Sequence, residues 1–321
     1  MKIFEKCKDG NRRNCYLFGR KFLSYKKMNS NLENKSENTQ NKDFDMYDYC
    51  KNYKYVLDSF IDNKEEEEQM SDYIWQYWGQ GLENAPELVK KCFESVRKCC
   101  PNNKVIILDD SNISNFIEIP DYIQEKLDKG IISKTHFSDY VRTCLLVKYG
   151  GTWIDATVYL TDIIPSEIVK SDFFVFKPLA YSECRNVPSL KMLKLLNRIP
   201  TYLSPFLCLS SWFIHSKPND RILILTKRCL EEYWFKENTL IDYFLYHYFV
   251  TFLILNDKKC REIYETMPNL ANRNPHLLQN VLLDQFDKDL FDELKQLSSI
   301  HKLTYKISSD SNTFLEYIKT N

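Results

Sequence analysis

Apolar positions in this chain come either as short unbroken runs or as helix-spaced sets, and their order along the sequence gives the first expectation of a fold. YIWQYW, from Tyr73 to Trp78, is a compact apolar run closed by Gly79 and Gly81, and reads as a core strand. Pro86 then opens a helical set at Leu88, Val89, Cys92, Phe93 and Val96, and KVIILDD follows as a strand ending in Asp109 and Asp110. Strand, helix, strand in that order predicts a mostly parallel sheet flanked by helices, hence an α/β domain.

The next helix lies in SKTHFSDYVRTCLLVKYGG, where Phe137, Tyr140, Val141, Cys144, Leu145 and Lys148 trace one face. Ser133 or Thr135 stands near its start and Gly150 at its end. TWIDATVYL continues as a strand or strand end, SDFFVFKPL as another strand, and SPFLCLSSWFIHSKPND holds a further strand before Pro218. Helices are expected from Arg221 to Trp234, from Leu240 to Leu255 and over residues 276–296, and a short strand in HKLTYKI. The Leu240 to Leu255 run is shorter than a membrane span and carries Asp242 and His247, so it reads as a buried helix.

Before Tyr73 the pattern weakens. Residues 29–45 are polar and read as a linker, MYDYCKNYKYVLDSFID as a helix, and Glu65 to Glu68 as a solvated acidic run. Residues 1–28 mix nine Lys or Arg with aromatic and aliphatic side chains, which suits either a small hairpin or a segment on an anionic membrane surface. The expected division is 1–28 as this basic aromatic segment, 29–72 as linker and helical extension, and 73–321 as the main domain with a helical C-terminal part.

Composition narrows the function classes. The 44 basic and 44 acidic residues cancel, which argues against recognition of nucleic acid by overall charge. Eleven cysteines without a CxxC, and with no secretion signal, point to reduced, mostly buried thiols in a cytoplasmic protein.

The chemistry gathers at YGGTWIDATVYLT. Asp155 stands in a run otherwise built for burial, at the expected open end of a strand, where a carboxylate is well placed to hold a divalent cation. Capping of a neighbouring loop is the plainer alternative. Gly150 and Gly151 permit a tight turn or close approach to a ligand, and Thr157 shares a strand face with Asp155. Asp139 and Arg142, three residues apart on a helix, can pair with each other or serve one ligand together. Asp109 and Asp110 suit a ligand contact or a turn at DDSN equally.

IWQYWGQG, HFSDYVRTCLL and YGGTWIDATVYLT, in this order and spacing and with SSWFIHSKP behind them, resemble the capsular polysaccharide synthesis glycosyltransferases. These are relatives of glycosyltransferase family 32 and, more distantly, of the sugar-transferring domain of large clostridial toxins. The resemblance implies a GT-A catalytic domain over 73–321 and a retaining, metal-dependent hexosyl transfer. The donor it implies is a nucleotide-diphosphate sugar, preferably a UDP-sugar, and the acceptor a glycan or lipid-linked oligosaccharide.

It further implies that Asp155 holds Mn²⁺ or Mg²⁺, with His301 completing the metal shell and His276 as the competing ligand. Asp139 and Arg142 would hold donor-sugar hydroxyls and phosphate, Gln76 and Trp78 would lie near the nucleotide with Gly151 and Thr157, and Lys302 would meet the diphosphate. In the wider group the acidic motif is Asp-any-Asp; here Ala156 and Thr157 follow Asp155, so the second carboxylate is missing. Peripheral placement on the inner face of the plasma membrane is a further expectation. A catalytically inactive nucleotide-binding protein or a membrane-associated interaction protein is the competing reading.

Overall fold

A computed structural model describes residues 45–61, 69–178, 207–307 and 312–321 in full, and the backbone of three N-terminal strands. Those strands, β1 (Phe4–Asp9), β2 (Arg12–Leu17) and β3 (Arg20–Lys26), pair antiparallel in sequence order. The polar linker up to residue 44 and the acidic run Glu65 to Glu68 lie outside the described residues.

The central sheet contains β4 (Tyr73–Tyr77), β5 (Lys104–Leu108), β6 (Gly151–Ile154), β8 (Phe173–Phe176) and β9 (Ser210–Ser216), in the order β5-β4-β6-β9-β8. Two short strands, β7 (Val158–Leu160) and β10 (Ile300–Lys302), form a separate antiparallel pair. Helices are α1 (45–50), α2 (Lys54–Asp58), α3 (Glu87–Cys99), α4 (Asp121–Asp128), α5 (Lys134–Tyr149) and α6 (Ser166–Val169). Further along come α7 (Arg221–Lys236), α8 (Leu245–Asn256), α9 (Lys258–Thr266), α10 (Lys288–Leu297) and α11 (Phe314–Thr320). Among the described residues no helix is long and apolar enough to cross a membrane.

The architecture is α/β, but the sheet is mixed. β4 pairs parallel with β5 and β6, whereas β9 pairs antiparallel with both β6 and β8. The expectation of a mostly parallel sheet therefore holds for the β5-β4-β6 side alone. A run of buried residues reports that a strand is covered on both faces, and is silent on its direction. Trp75 and Tyr77 enter the core with Phe137, Tyr140 and Val141 of α5, while Ile74 faces the opposite core with Val96, Ile154 and Phe213.

Two further expectations are corrected. TWIDATVYL is interrupted at Asp155–Thr157, so that β6 and β7 belong to different sheets. Residues 276–296 do not form one helix: two 3-10 turns, Asn274–His276 and Leu278–Val281, precede α10, whose start is capped by Asp287 accepting from the Leu290 N–H. The eight described cysteines are free thiols, and all but Cys99 are buried.

Because β4, β5 and β6 run the same way, their carboxyl ends share one edge, and Trp78, Asp109 and Asp155 all emerge there. The chain bends at that edge: the Asp155 carbonyl accepts from the Val158 N–H at 2.9 Å, closing a turn that returns the chain as β7.

Candidate active site

Asp155 is the hub of a cluster drawn from four parts of the chain. Its Oδ1 accepts from the indole N–H of Trp153 at 2.8 Å and lies 3.4 Å from Arg142 Nη2. Its Oδ2 accepts from the Lys302 ammonium at 2.9 Å. The strand sets this geometry, since β6 pairs with β4 and β9 and the Asp155 N–H donates to the Trp212 carbonyl at 2.9 Å. Burial pushes the Asp155 carboxyl up, but Lys302 and then Arg142 outweigh it and hold the group below its usual value.

Arg142 comes from α5, whose first turn is capped by Ser133 accepting from the His136 N–H. Its guanidinium donates to the carbonyls of Ser138 and Ser211 and to the Ser138 hydroxyl, and lies 5.1 Å from the Trp153 ring centre. Only 4% of its side chain is exposed, so the guanidinium lies buried beside Asp155. Asp139, one turn earlier, sits 3.3 Å from Arg142 Nη2. Burial drives its carboxyl up to about 6, a rise that Arg142 opposes and Asp155 reinforces.

Lys302 arrives from the C-terminal part of the chain. β10 lies antiparallel to β7 with Lys302 opposite Val158, and the Leu303 N–H donates to the Thr157 carbonyl at 2.8 Å. This brings Lys302 Nζ to 2.8 Å from the Thr157 hydroxyl as well as to Asp155. His301, next on the strand, is turned to the other side, because successive strand side chains alternate. Fully buried, it meets Thr161 Oγ1 at 3.1 Å, and burial lowers its imidazole to about 3. His276 is likewise packed, with Nδ1 2.6 Å from the Asn272 carbonyl and its ring edge-on to Trp212.

Gln76, inside β4, and Trp78, just past its end, lie toward the same edge. Gln76 is fully buried, yet neither amide atom has a hydrogen-bond partner among the described residues, and the Trp78 indole N–H is likewise unpartnered. The Trp78 ring meets Tyr305 edge-to-face at 5.4 Å and packs in the cluster that includes Ala156, between Asp155 and Thr157.

Gly151 lies elsewhere. It begins β6, at the opposite end of the strand from Asp155, with φ +93° and the Tyr73 carbonyl oxygen 2.3 Å from where a Cβ would stand. The close approach it allows is to neighbouring backbone, which corrects the ligand contact expected of it. At DDSN the turn accounts for Asp109, whose Oδ1 accepts from the N–H groups of Ser111 and Asn112. Asp110 accepts from Tyr77 and Lys134.

Sequence reasoning missed the cover of the cluster. Tyr246 lies under Arg142 at 5.9 Å, while Tyr243 and His247 sit close enough for their ionisation to respond to Arg142 and Asp155. All three come from the start of α8 and the segment before it, where an aromatic run carries no sign that one face meets ions. Trp153 was hidden in the same way within an apolar strand.

The donor set does not fit a resident divalent cation. One or two carboxylates with substrate phosphates can suffice for such a cation, so the test is whether a carboxylate oxygen is left open to it. Among the described residues no three His, Cys, Asp or Glu side chains converge to hold one, and both Asp155 oxygens already face the donors of Trp153, Arg142 and Lys302.

Sequence comparison places relatives beside this geometry. Glycosyltransferase afumC of Aspergillus fumigatus is 28% identical over 138 residues, covering 40% of this chain and 33% of that protein. O-glycosyltransferase braB of Annulohypoxylon truncatum is 31% identical over 96 residues, or 27% of this chain and 23% of that protein. O-glycosyltransferase PaGT of Phomopsis amygdali is 31% identical over 96 residues, covering 27% of this chain and 24% of its own length. The alignments thus span about a third or less of the curated relatives. The family profile described as Capsular polysaccharide synthesis protein matches residues 24–320, nearly the whole chain, and the chain belongs to that family.

Proposed function

We propose that the chain is a retaining glycosyltransferase of GT-A type, related to glycosyltransferase family 32. It moves a sugar from a nucleotide-diphosphate donor, preferably a UDP-sugar, to a hydroxyl of a glycan or lipid-linked oligosaccharide. The observation that carries this reading is the cluster of buried Asp139 and Arg142 with half-buried Asp155 at the carboxyl edge of β4 and β6, in a chain of the capsular polysaccharide synthesis family. Ligands of open α/β sheets bind outside the carboxyl ends of the strands. Two of the relatives are O-glycosyltransferases, which supports a hydroxyl acceptor.

In this reading Asp139 accepts hydrogen bonds from donor-sugar hydroxyls, and Arg142 holds Asp139 and Asp155 in place from behind. Gln76 and Trp78 lie near the nucleotide, with the partly buried Trp78 walling the base. The costly event is cleavage of the bond between the anomeric carbon and the phosphate oxygen, with negative charge growing on the diphosphate. The acceptor hydroxyl attacks from the same face and its proton passes to the departing phosphate oxygen, so no side-chain nucleophile is required. The basic residues of 1–28 support peripheral contact with an anionic inner membrane face, where a lipid-linked acceptor lies.

A panel of UDP-, GDP- and CMP-sugars, assayed for donor hydrolysis and transfer, tests the reading. Turnover of a nucleoside diphosphate sugar upholds it. A folded protein that consumes none of the panel overturns it in favour of a binding role.

A further inference from the structure

Resting on the transferase reading above, we propose that Lys302 supplies the positive charge at the leaving diphosphate, so that transfer by this chain needs no divalent metal ion. The acidic motif offers one carboxylate and one hydroxyl, and the Lys302 ammonium lies between them, 2.9 Å from Asp155 Oδ2 and 2.8 Å from Thr157 Oγ1. A hydroxyl at position 157 is a neutral acceptor that suits an ammonium, whereas a second carboxylate there suits a dication.

The charges agree. At neutral pH the ionised Asp139 and Asp155 are balanced by Arg142 and Lys302, so a dication would enter a neutral cluster and meet two cations. Of those two cations, Lys302 faces outward. Its side chain is 19% exposed against 4% for Arg142. An ammonium has three N–H donors; Asp155 and Thr157 take two, and the third has no protein partner among the described residues. His301, expected to ligate a metal from the same strand, bonds Thr161 instead.

The step balances without a metal. The bond from the anomeric carbon to the phosphate oxygen breaks, and its electron pair stays on that oxygen. The acceptor oxygen forms the new glycosidic bond and its proton moves to the phosphate. Lys302 keeps all its protons and donates a hydrogen bond to the diphosphate as the charge develops.

Calorimetric titration of the full chain with UDP and with uridine, in EDTA and in Mn²⁺, tests the proposal in wild type, Lys302→Met and Lys302→Arg. UDP affinity in EDTA is expected within about threefold of that in Mn²⁺. Lys302→Met is expected to weaken UDP about tenfold or more while leaving uridine unchanged, and Lys302→Arg to recover most of the loss. UDP binding that requires Mn²⁺, or that is unaltered in a folded Lys302→Met, overturns the proposal. Should Lys302→Met not fold, the wild-type comparison of EDTA with Mn²⁺ decides alone. If UDP fails to bind in both conditions, and GDP and CDP titrated in the same way also fail, the transferase reading itself falls; that result is distinct from metal-dependent binding.

Discussion

Asp139 Oδ1 stands 3.3 Å from Arg142 Nη2, three residues apart on one helix, with both side chains turned inward. Burial nevertheless raises the Asp139 carboxyl from 3.8 to about 6. Between those values the folded chain holds a proton that the unfolded chain has released. The contribution of Asp139 to stability is therefore full below pH 3.8 and is lost as pH rises through about 6, a swing of about 3 kcal/mol. Asp155 acts in the opposite sense: its lowered value favours folding above the unfolded carboxyl range, and that contribution is lost in acid. In urea unfolding of wild type and Asp139→Asn, the stability of wild type relative to the variant is expected to fall between about pH 4 and pH 7. A flat or rising difference contradicts this account.

Gly151 tests the frame that aims Asp155. At φ +93° a side chain is strained, and a Cβ would stand 2.3 Å from the Tyr73 carbonyl oxygen, a backbone atom fixed in β4. Gly151→Ala is expected to cost about 2–4 kcal/mol of unfolding free energy in denaturant titration. A cost under about 1 kcal/mol shows that β4 and β6 adjust freely at this end.

Gln76 separates binding from folding. Its amide is fully buried with both polar atoms unpartnered among the described residues, so the near-isosteric Gln76→Met removes a desolvation penalty and breaks no protein hydrogen bond. The variant is expected to match or exceed wild-type stability by about 1 kcal/mol, while UDP affinity falls about fivefold or more. Lost stability with unchanged UDP affinity contradicts a nucleotide-facing role.

Much of the fold was legible because its signals are local. Pro86 and Gly150 mark helix ends by their backbone geometry and Ser133 by its capping hydroxyl, and strands buried on both faces read as apolar runs. Strand direction depends on how connections cross the sheet, so the antiparallel placement of β9 was out of reach. Asp155, Asp139, Arg142, Thr157 and Lys302 were named as candidates from residue type and resemblance, and the fold brings them together. His301 and Lys302 were both assigned to it, but neighbours on a strand point apart, and only Lys302 reaches Asp155. Trp153, Tyr243 and Tyr246 escaped because an aromatic side chain over an ion pair has the same sequence signature as one in an apolar core.

The most direct measurement is the rate of donor consumption by wild type and Asp155→Asn, over a UDP-sugar panel, with far-UV circular dichroism on both proteins. The account expects turnover of one donor by wild type and a fall of about a hundredfold or more in a folded Asp155→Asn, since Lys302 then loses the carboxylate that fixes it. Turnover in the folded variant close to that of wild type contradicts the account.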